Sequence, residues 1–302
     1  MKTALLLALG VFAFAYTIGW VVWAKSAPSL ARINSARLGT WPTFTHVAVG
    51  FVTNFFDTLG IGSFAPTTSI FKLGKIVPDG IIPGTLNVGH TLPTIVEASI
   101  FISIIEVDAR TLVSMIAASV AGAWIGAYVV TTWPQQKIRI GLGLALIVGG
   151  ALMFATQQHL FPTGGNAEGL DGVRLLAAIA GNFVLGALMQ LGIGLYAPCM
   201  ILVSLLGMNP KSAFPIMMGS CAFLMPIGSA QFVRSGRYRL DAALGLSLGG
   251  IPAVLLAAFL VKSLPLSTVR WLVVGVVFYT AVTMLRSAFA ETRPLGVTPP
   301  EI

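Results

Sequence analysis

Three ionisable residues stand where an apolar chain has most reason to exclude them. Asp57 lies inside FFDTLG, Glu97 inside PTIVEASIF, and His90 inside NVGHTLPT beside Asn87 and Thr91. A charge deep in an apolar run costs roughly 2.5–3.5 kcal/mol on insertion scales, so such residues are functional candidates by default. Asp57 and Glu97 could exchange a proton where burial disfavours the charged form, and Asp57 is the favoured one because it adjoins the glycine octet. His90 could carry a proton or donate to an anion. A fixed role is equally open for each, with the carboxyls paired to a neighbouring hydroxyl or amide and the imidazole a hydrogen-bonded packing group.

The second chemical signal is in the backbone. Residues 59 to 66 read LGIGSFAP and residues 191 to 198 read LGIGLYAP, identical at six of eight positions, with Phe64 against Tyr196 still aromatic. A helix interrupted there would expose unpaired amides and a positive helix end, which is how discontinuous helices hold anions. The backbone from Gly60 through Gly62 and Ser63 to Phe64, and from Gly192 through Gly194 to Tyr196, is the leading anion cradle. Thr58, Ser63, Gln190 and Ser220 are supplementary donors, and Tyr196 adds a hydroxyl that Phe64 lacks. The competing account is that the glycines only permit close helix packing. Arg234, after Gln231 at a helix end, is favoured as a topology anchor over a ligand contact.

Enzymatic chemistry finds little support. The histidines are His46, His90 and His159, with no HExxH motif and no Cys–His cluster, and Cys199 and Cys221 lie in apolar stretches. The expectation is a protein that is not an enzyme and carries no metal or cofactor. The alternative from another class, a haem-holding or cofactor-assembly membrane subunit, would need paired axial ligands such as His46 and His90.

Composition says what must position these groups. Of 302 residues, 56% are hydrophobic and 9% charged, with 33 glycines, 17 prolines, six tryptophans and a mean hydropathy of +0.89. An ordinary soluble domain carries about 25% charged residues, so a soluble globular enzyme is excluded and helices in lipid are indicated. The net charge of +8 is spread singly over short gaps, which fits the positive-inside rule and not a nucleic-acid surface. The first apolar run resembles a secretory signal near Ala13-Phe14-Ala15, but continues through Trp23 to Lys25. At about 20 residues it is long enough to span and reads as an uncleaved helix. Lys25, Arg32 and Arg37 follow with no acid, placing that link in the cytoplasm and the N-terminus outside.

The octets belong to a longer repeat. Pro83 matches Pro215 at the same offset, Val107-Asp108-Ala109 resembles Leu240-Asp241-Ala242, and PQQKIR from Pro134 resembles PLSTVR from Pro265. The expected organisation is a helix and basic link over 1–43, a first repeat over 44–156, an extracytoplasmic linker over 157–173, a second repeat over 174–288 and a tail over 289–302. Each repeat holds three ordinary spans after its octet, at about 81–105, 111–132 and 137–156, then 210–233, 241–262 and 267–288. The octet segments differ, because the 34 residues from Arg174 to Gly207 would extend about 51 Å as one helix, beyond a ~30 Å core. Two short helices meeting at Leu-Gly-Ile-Gly solve this. If the pair returns to its own side, Lys72, Lys75, Lys137, Arg139, Arg234, Arg237, Arg239, Arg286 and Arg293 fall inside, and Glu106, Asp108, Arg110, Glu168 and Asp171 outside. Lys262 and Arg270 are the misplaced charges. The halves then begin on opposite sides. The fold expected is all-α and integral to the membrane, with two inverted repeats, each a broken Gly-rich helix plus three spans, and one additional N-terminal helix.

These features together resemble the TauE/SafE family, also called the toluene sulfonate uptake permease family. The likeness covers about residues 45 to 288 and rests on the Gly-rich turns followed by proline, on Gly219-Ser220 and on the basic link before each third span. The family's Gly-Gly-Gly stretch is reduced here to Gly-Ile-Gly, and Gly84-Thr85 is one candidate for its Gly-Thr-Ser element in the first half. The resemblance implies transport of sulfite, sulfonates, sulfoacetate-like compounds, thiosulfate or other small anions, often with protons, across a bacterial inner membrane. A passive channel or an exporter are the nearer alternatives.

Overall fold

The computed structural model describes residues 2–26, 41–160 and 165–260, with isolated helical positions between 271 and 289. The basic link after Lys25, the Pro265 motif and most of the span expected at 267–288 lie outside the described residues, as do Lys262, Arg293 and the tail.

The described elements are helical. Helix α1 spans Lys2–Ser26. The first half then gives α2 (Phe44–Thr58), α3 (Phe64–Leu73), a 3₁₀ turn at Asp79–Ile81, α4 (Ile82–Ile104), α5 (Ala109–Thr132) and α6 (Gln135–Gln157). The second gives α7 (Gly172–Met189), α8 (Tyr196–Leu205), a 3₁₀ turn at Pro210–Ser212, α9 (Ala213–Arg234) and α10 (Leu240–Leu260). The order of elements repeats, short turns included. Six described helices, α1, α5, α6, α7, α9 and α10, are long and apolar enough to cross a membrane, and the chain is a multi-pass membrane protein. Helix α4 is of similar length but carries Asn87, His90, Thr91, Thr94 and Glu97, all buried.

Local chemistry sets the element ends. Thr43 caps α2, its hydroxyl accepting from the His46 amide while His46 Nδ1 accepts from the Thr43 amide, a reciprocal box that satisfies two end donors. Asp108 caps α5 by accepting from both the amide and the hydroxyl of Thr111, each at 2.9 Å. The breaks occur where expected. Gly60 (φ +81°), Gly62 (φ +89°) and Gly192 (φ +96°) turn the chain through the left-handed region, which side chains with a Cβ disfavour. Pro66 and Pro198 each stand third in the helix that resumes, where a missing amide hydrogen breaks no helical bond.

The interior is a pair of helices, α4 against α9, mostly buried along their lengths. Around it the halves interlock reciprocally: α2 packs on α10, α7 on α5, and α4 and α9 each also touch the other half's outer helix. Both outer contacts are close enough to need glycine. A Cβ on Gly249 would fall 2.0 Å from the Val47 carbonyl oxygen, and one on Gly186 would fall 2.1 Å from that of Ser119. Small residues that let backbones meet are the usual means of tight helix packing in lipid.

Contacts at the two ends fix the path. At one end His46, early in α2, lies 3.9 Å from Asp241. At that end too, Lys72 at the close of α3 pairs with Asp79, Arg139 pairs with the same Asp79, and Arg239 bonds the carbonyl of Ile76. The α2–α3 pair therefore starts and finishes on one side. At the other end Arg110 meets Asp171 just before α7, and Gly165 and Asn209 tie the 165–167 strip to the chain leaving α8. The α7–α8 pair starts and finishes there. Helix α1 runs between the two ends, Lys2 pairing with Glu106 and Trp23 lying under Arg234, whose guanidinium is 4.1 Å from the ring centroid.

Candidate functional site

Both half-helices that resume after a break point their N-termini into the bundle. Helix α3 begins at Phe64 and α8 at Tyr196, and one buried cavity is lined by Asp57, Gly62, Ser63 and Phe64 from the first half and Met189, Gly194, Leu195 and Tyr196 from the second. Thr94 of α4 and Cys221 and Met225 of α9 complete it. The first backbone hydrogen bonds of the resumed helices are Thr67 N–H to Ser63 and Cys199 N–H to Leu195. The amides of Phe64, Ala65, Tyr196 and Ala197 precede them without a helical acceptor. Two positive helix ends thus face one space. The free space, about 10 Å³ as traced by the centre of a water molecule, is that of a single water.

Two carboxyls stand against this donor array. Asp57 lines the cavity together with Ser63, so the first helix end already has a resident acid. Glu97 is fully buried on α4 and its Oε2 accepts from the Tyr196 hydroxyl at 2.8 Å. Its Oε1 has no hydrogen-bond partner among the described residues. Neither acid forms an ion pair among those residues.

His90 sits behind the cavity wall, its ring centroid 5.9 Å from that of Phe64. The Asn54 side-chain amide donates to the Gly50 carbonyl at 2.7 Å, leaving its oxygen to face His90 Nδ1 at 3.0 Å. Thr67 Oγ1 lies 3.1 Å from His90 Nε2 and 2.7 Å from the Ser63 carbonyl. One imidazole therefore bridges α2 and α3 across the first break.

Of the residues singled out in the sequence, Asp57, Gly62, Ser63, Phe64, Gly194 and Tyr196 come together at the cavity, and Glu97 reaches it through Tyr196. Thr58, Gly60, Gln190, Gly192 and Ser220 do not line it. The Thr58 hydroxyl donates to the Asn54 carbonyl at 2.9 Å, and Ser220 Oγ accepts from Asn182 at 2.9 Å. Gly60 and Gly192 shape the turns. Gln190 is fully buried with neither amide atom hydrogen-bonded among the described residues, and Gly228 leaves room for it: a Cβ there would stand 2.3 Å from Gln190 Oε1. Thr94, Cys221 and Met225 were not legible as lining residues. Asn54 also serves the site, and an Asn inside an apolar helix is a signal of interhelical bonding that Asn182 repeats by donating to the Met115 carbonyl at 2.7 Å.

One further pattern bears on enzymatic chemistry. Gly245-x-Ser247-x-Gly249 would mark a hydrolase nucleophile on a strand-to-helix elbow. Here it lies within α10, where Ser247 donates to the Gly89 carbonyl at 2.7 Å and Gly245 packs on His46. Among the described residues, no group of three or more His, Cys, Asp and Glu side chains is placed to hold a metal. Set against known protein families, curated proteins and solved structures, the chain matches none.

Proposed function

We propose that this protein is a secondary transporter of small anions, with sulfur-containing oxyanions and sulfonates as the favoured class. The observation that carries the proposal is the convergence of the N-termini of α3 and α8 on one buried cavity. Unpaired amides at a positive helix end recognise an oxyanion without an arginine, and a site built from two broken helices is the arrangement of many secondary transporters. The likeness of the two octets and their surroundings to the TauE/SafE family supplies the substrate class.

The halves are read as inverted repeats related by a twofold axis in the membrane plane. In support, α2–α3 returns to one end and α7–α8 to the other. The end bearing Lys72, Lys137, Arg139, Arg234, Arg237 and Arg239 faces the cytoplasm by the positive-inside rule, and the membrane is a bacterial inner membrane. The space between the half-helices is about that of one water, so on this reading an anion enters as the half-helices separate. Import of an anion against an inside-negative potential costs about 2.3 kcal/mol per charge per 100 mV, which calls for a coupled proton. Asp57, Glu97 and His90 are the candidates to carry it.

A thermal-shift screen of purified protein against sulfite, thiosulfate, alkyl and aryl sulfonates and carboxylates tests this reading. A ligand of the folded state raises the melting temperature with concentration. A rise with one anion class, followed by counterflow of that anion in proteoliposomes, is the expected result. No shift and no flux with any of them would remove the transporter reading.

A further inference from the structure

On the anion-transport reading above, the remaining question is which group couples the proton. The two acids differ in what surrounds them. Asp57 lies at the cavity beside Ser63 of its own half. Glu97 has a single partner among the described residues, and that partner belongs to the other half: the Tyr196 hydroxyl, 2.8 Å from Oε2, with Oε1 unbonded. Tyr196 is the first residue of α8, lines the cavity and is 5% exposed. Where the first half has Ser63, the second has Leu195, so the phenol is the side-chain hydroxyl at that helix end.

A phenol has one proton to donate. An oxyanion seated at the α8 N-terminus needs it, and the Glu97 carboxyl oxygen already takes it. Two anions cannot share that donor in a water-poor site without strong repulsion. We propose that Tyr196 is an exchangeable donor, bonded to ionised Glu97 when the site is empty and to the anion when Glu97 has taken up a proton. Protonated Glu97 brings its own O–H and becomes a donor, to the phenol oxygen or to the ligand. One proton from the aqueous side is thereby bound with each anion, and no covalent bond other than that O–H is made. Asp57 keeps its place in the first helix end throughout.

The titratable groups facing Glu97 are Asp57 from α2, Tyr196 from α8 and Cys221 from α9. Charged groups on other elements packed around α4 pair with one another at the bundle ends: Lys72 and Arg139 with Asp79, Asp241 with Arg239 and near His46, and Lys2 with Glu106. Tyr16 of α1 is spent on the Val88 carbonyl.

Methanesulfonate is a suitable probe because its own charge is constant from pH 5 to 8. Its affinity for wild-type protein, measured by calorimetry, should fall about tenfold per pH unit on the alkaline side, the slope of one linked proton. Two buffers of different ionisation enthalpy should report uptake of one proton per anion, a measurement that needs no variant. Glu97→Gln should bind with little pH dependence, near the wild-type acid limit. Tyr196→Phe should bind at least tenfold more weakly at pH 5, and Asp57→Asn should keep the wild-type slope. Binding without proton uptake, or an unchanged slope in folded Glu97→Gln, overturns the coupling role and leaves anion transport standing. Absence of methanesulfonate binding at every pH in wild type and Glu97→Gln overturns both for sulfonates.

Discussion

The two breaks carry nearly the same octet and are held by different chemistry. The first is pinned by polar groups: Asp57 meets Ser63, His90 bridges Asn54 and Thr67, and Lys72 anchors the end of α3 to Asp79. At matching places the second has Met189 for Asp57, Leu195 for Ser63, Cys199 for Thr67 and Ala222 for His90. The Tyr196–Glu97 bond is the one side-chain hydrogen bond from α8 to another helix among the described residues. The two breaks share the octet and differ in the side chains around it, so one is tied by several polar contacts and the other loosely. If the site opens, α8 is the element with the fewest polar bonds to break.

Functional contrast should be largest at the paired glycines. Gly194 has no positive φ, and a Cβ there would meet only the Phe64 Cβ at 4.0 Å. Gly194→Val should therefore fold, fill the cavity and weaken anion binding at least a hundredfold, read as loss of the ligand-induced melting shift. Wild-type affinity in that folded variant would remove the α8 end as an anion site. Gly62→Val is no equivalent test, because at φ +89° a β-branched residue strains the turn itself.

Remaking the first half in the image of the second gives the next effect. His90→Ala leaves the Asn54 side-chain oxygen without its imidazole partner and opens a buried void, together costing about 3 kcal/mol or more. Chemical denaturation in detergent should show it. A loss below about 0.5 kcal/mol would mean that the first break is held by something other than His90.

The glycine contrast recurs in stability at smaller scale. Gly62→Ala should cost about 1–2 kcal/mol for placing a Cβ in the left-handed region, whereas Gly194→Ala should stay within about 0.5 kcal/mol. Equal costs would erase the backbone difference between the breaks.

What the sequence could convey explains these assignments and their gaps. A 34-residue apolar stretch with Gly-Ile-Gly at its middle has to break, and both breaks appear, between Thr58 and Phe64 and between Met189 and Tyr196. Spans such as 82–104 and 109–132 could be bounded within two residues, because apolar length and flanking charge are properties of one segment. Partners across segments are not. Thr58 and Ser220 read as free donors, yet Thr58 donates to the Asn54 carbonyl a turn away and Ser220 accepts from Asn182 on another helix. Thr94, Cys221 and Met225 lie in mid-helix with nothing local to show that they face a cavity. Gly62 and Gly194 look alike in the octets, and only the φ values separate them.

The smallest effect tests whether the halves also diverge at their ends. Asp108 and Asp241 occupy matching positions, but Asp241 is buried and held by Arg239 through two 2.7 Å bonds, whereas Asp108 is an exposed cap bonded to Thr111. The Thr111 amide bond, more than any other contact, holds the Asp108 carboxyl below the usual aspartate range. A carboxyl with a depressed folded value adds stability that is fully present above its unfolded pKa, about 3.9, and is lost as pH falls through the folded value. Because Asp108 is exposed, water screens the charge and the cap is worth less than a buried one. Asp108→Ala should thus cost about 0.5–1 kcal/mol at pH 7, with the gap to wild type narrowing as the pH drops below about 4. Melting temperatures of both proteins at pH 7 and pH 3 measure it. A gap that persists undiminished at the lower pH would mean that the cap acts through Thr111 geometry alone, with no contribution from the ionised carboxylate.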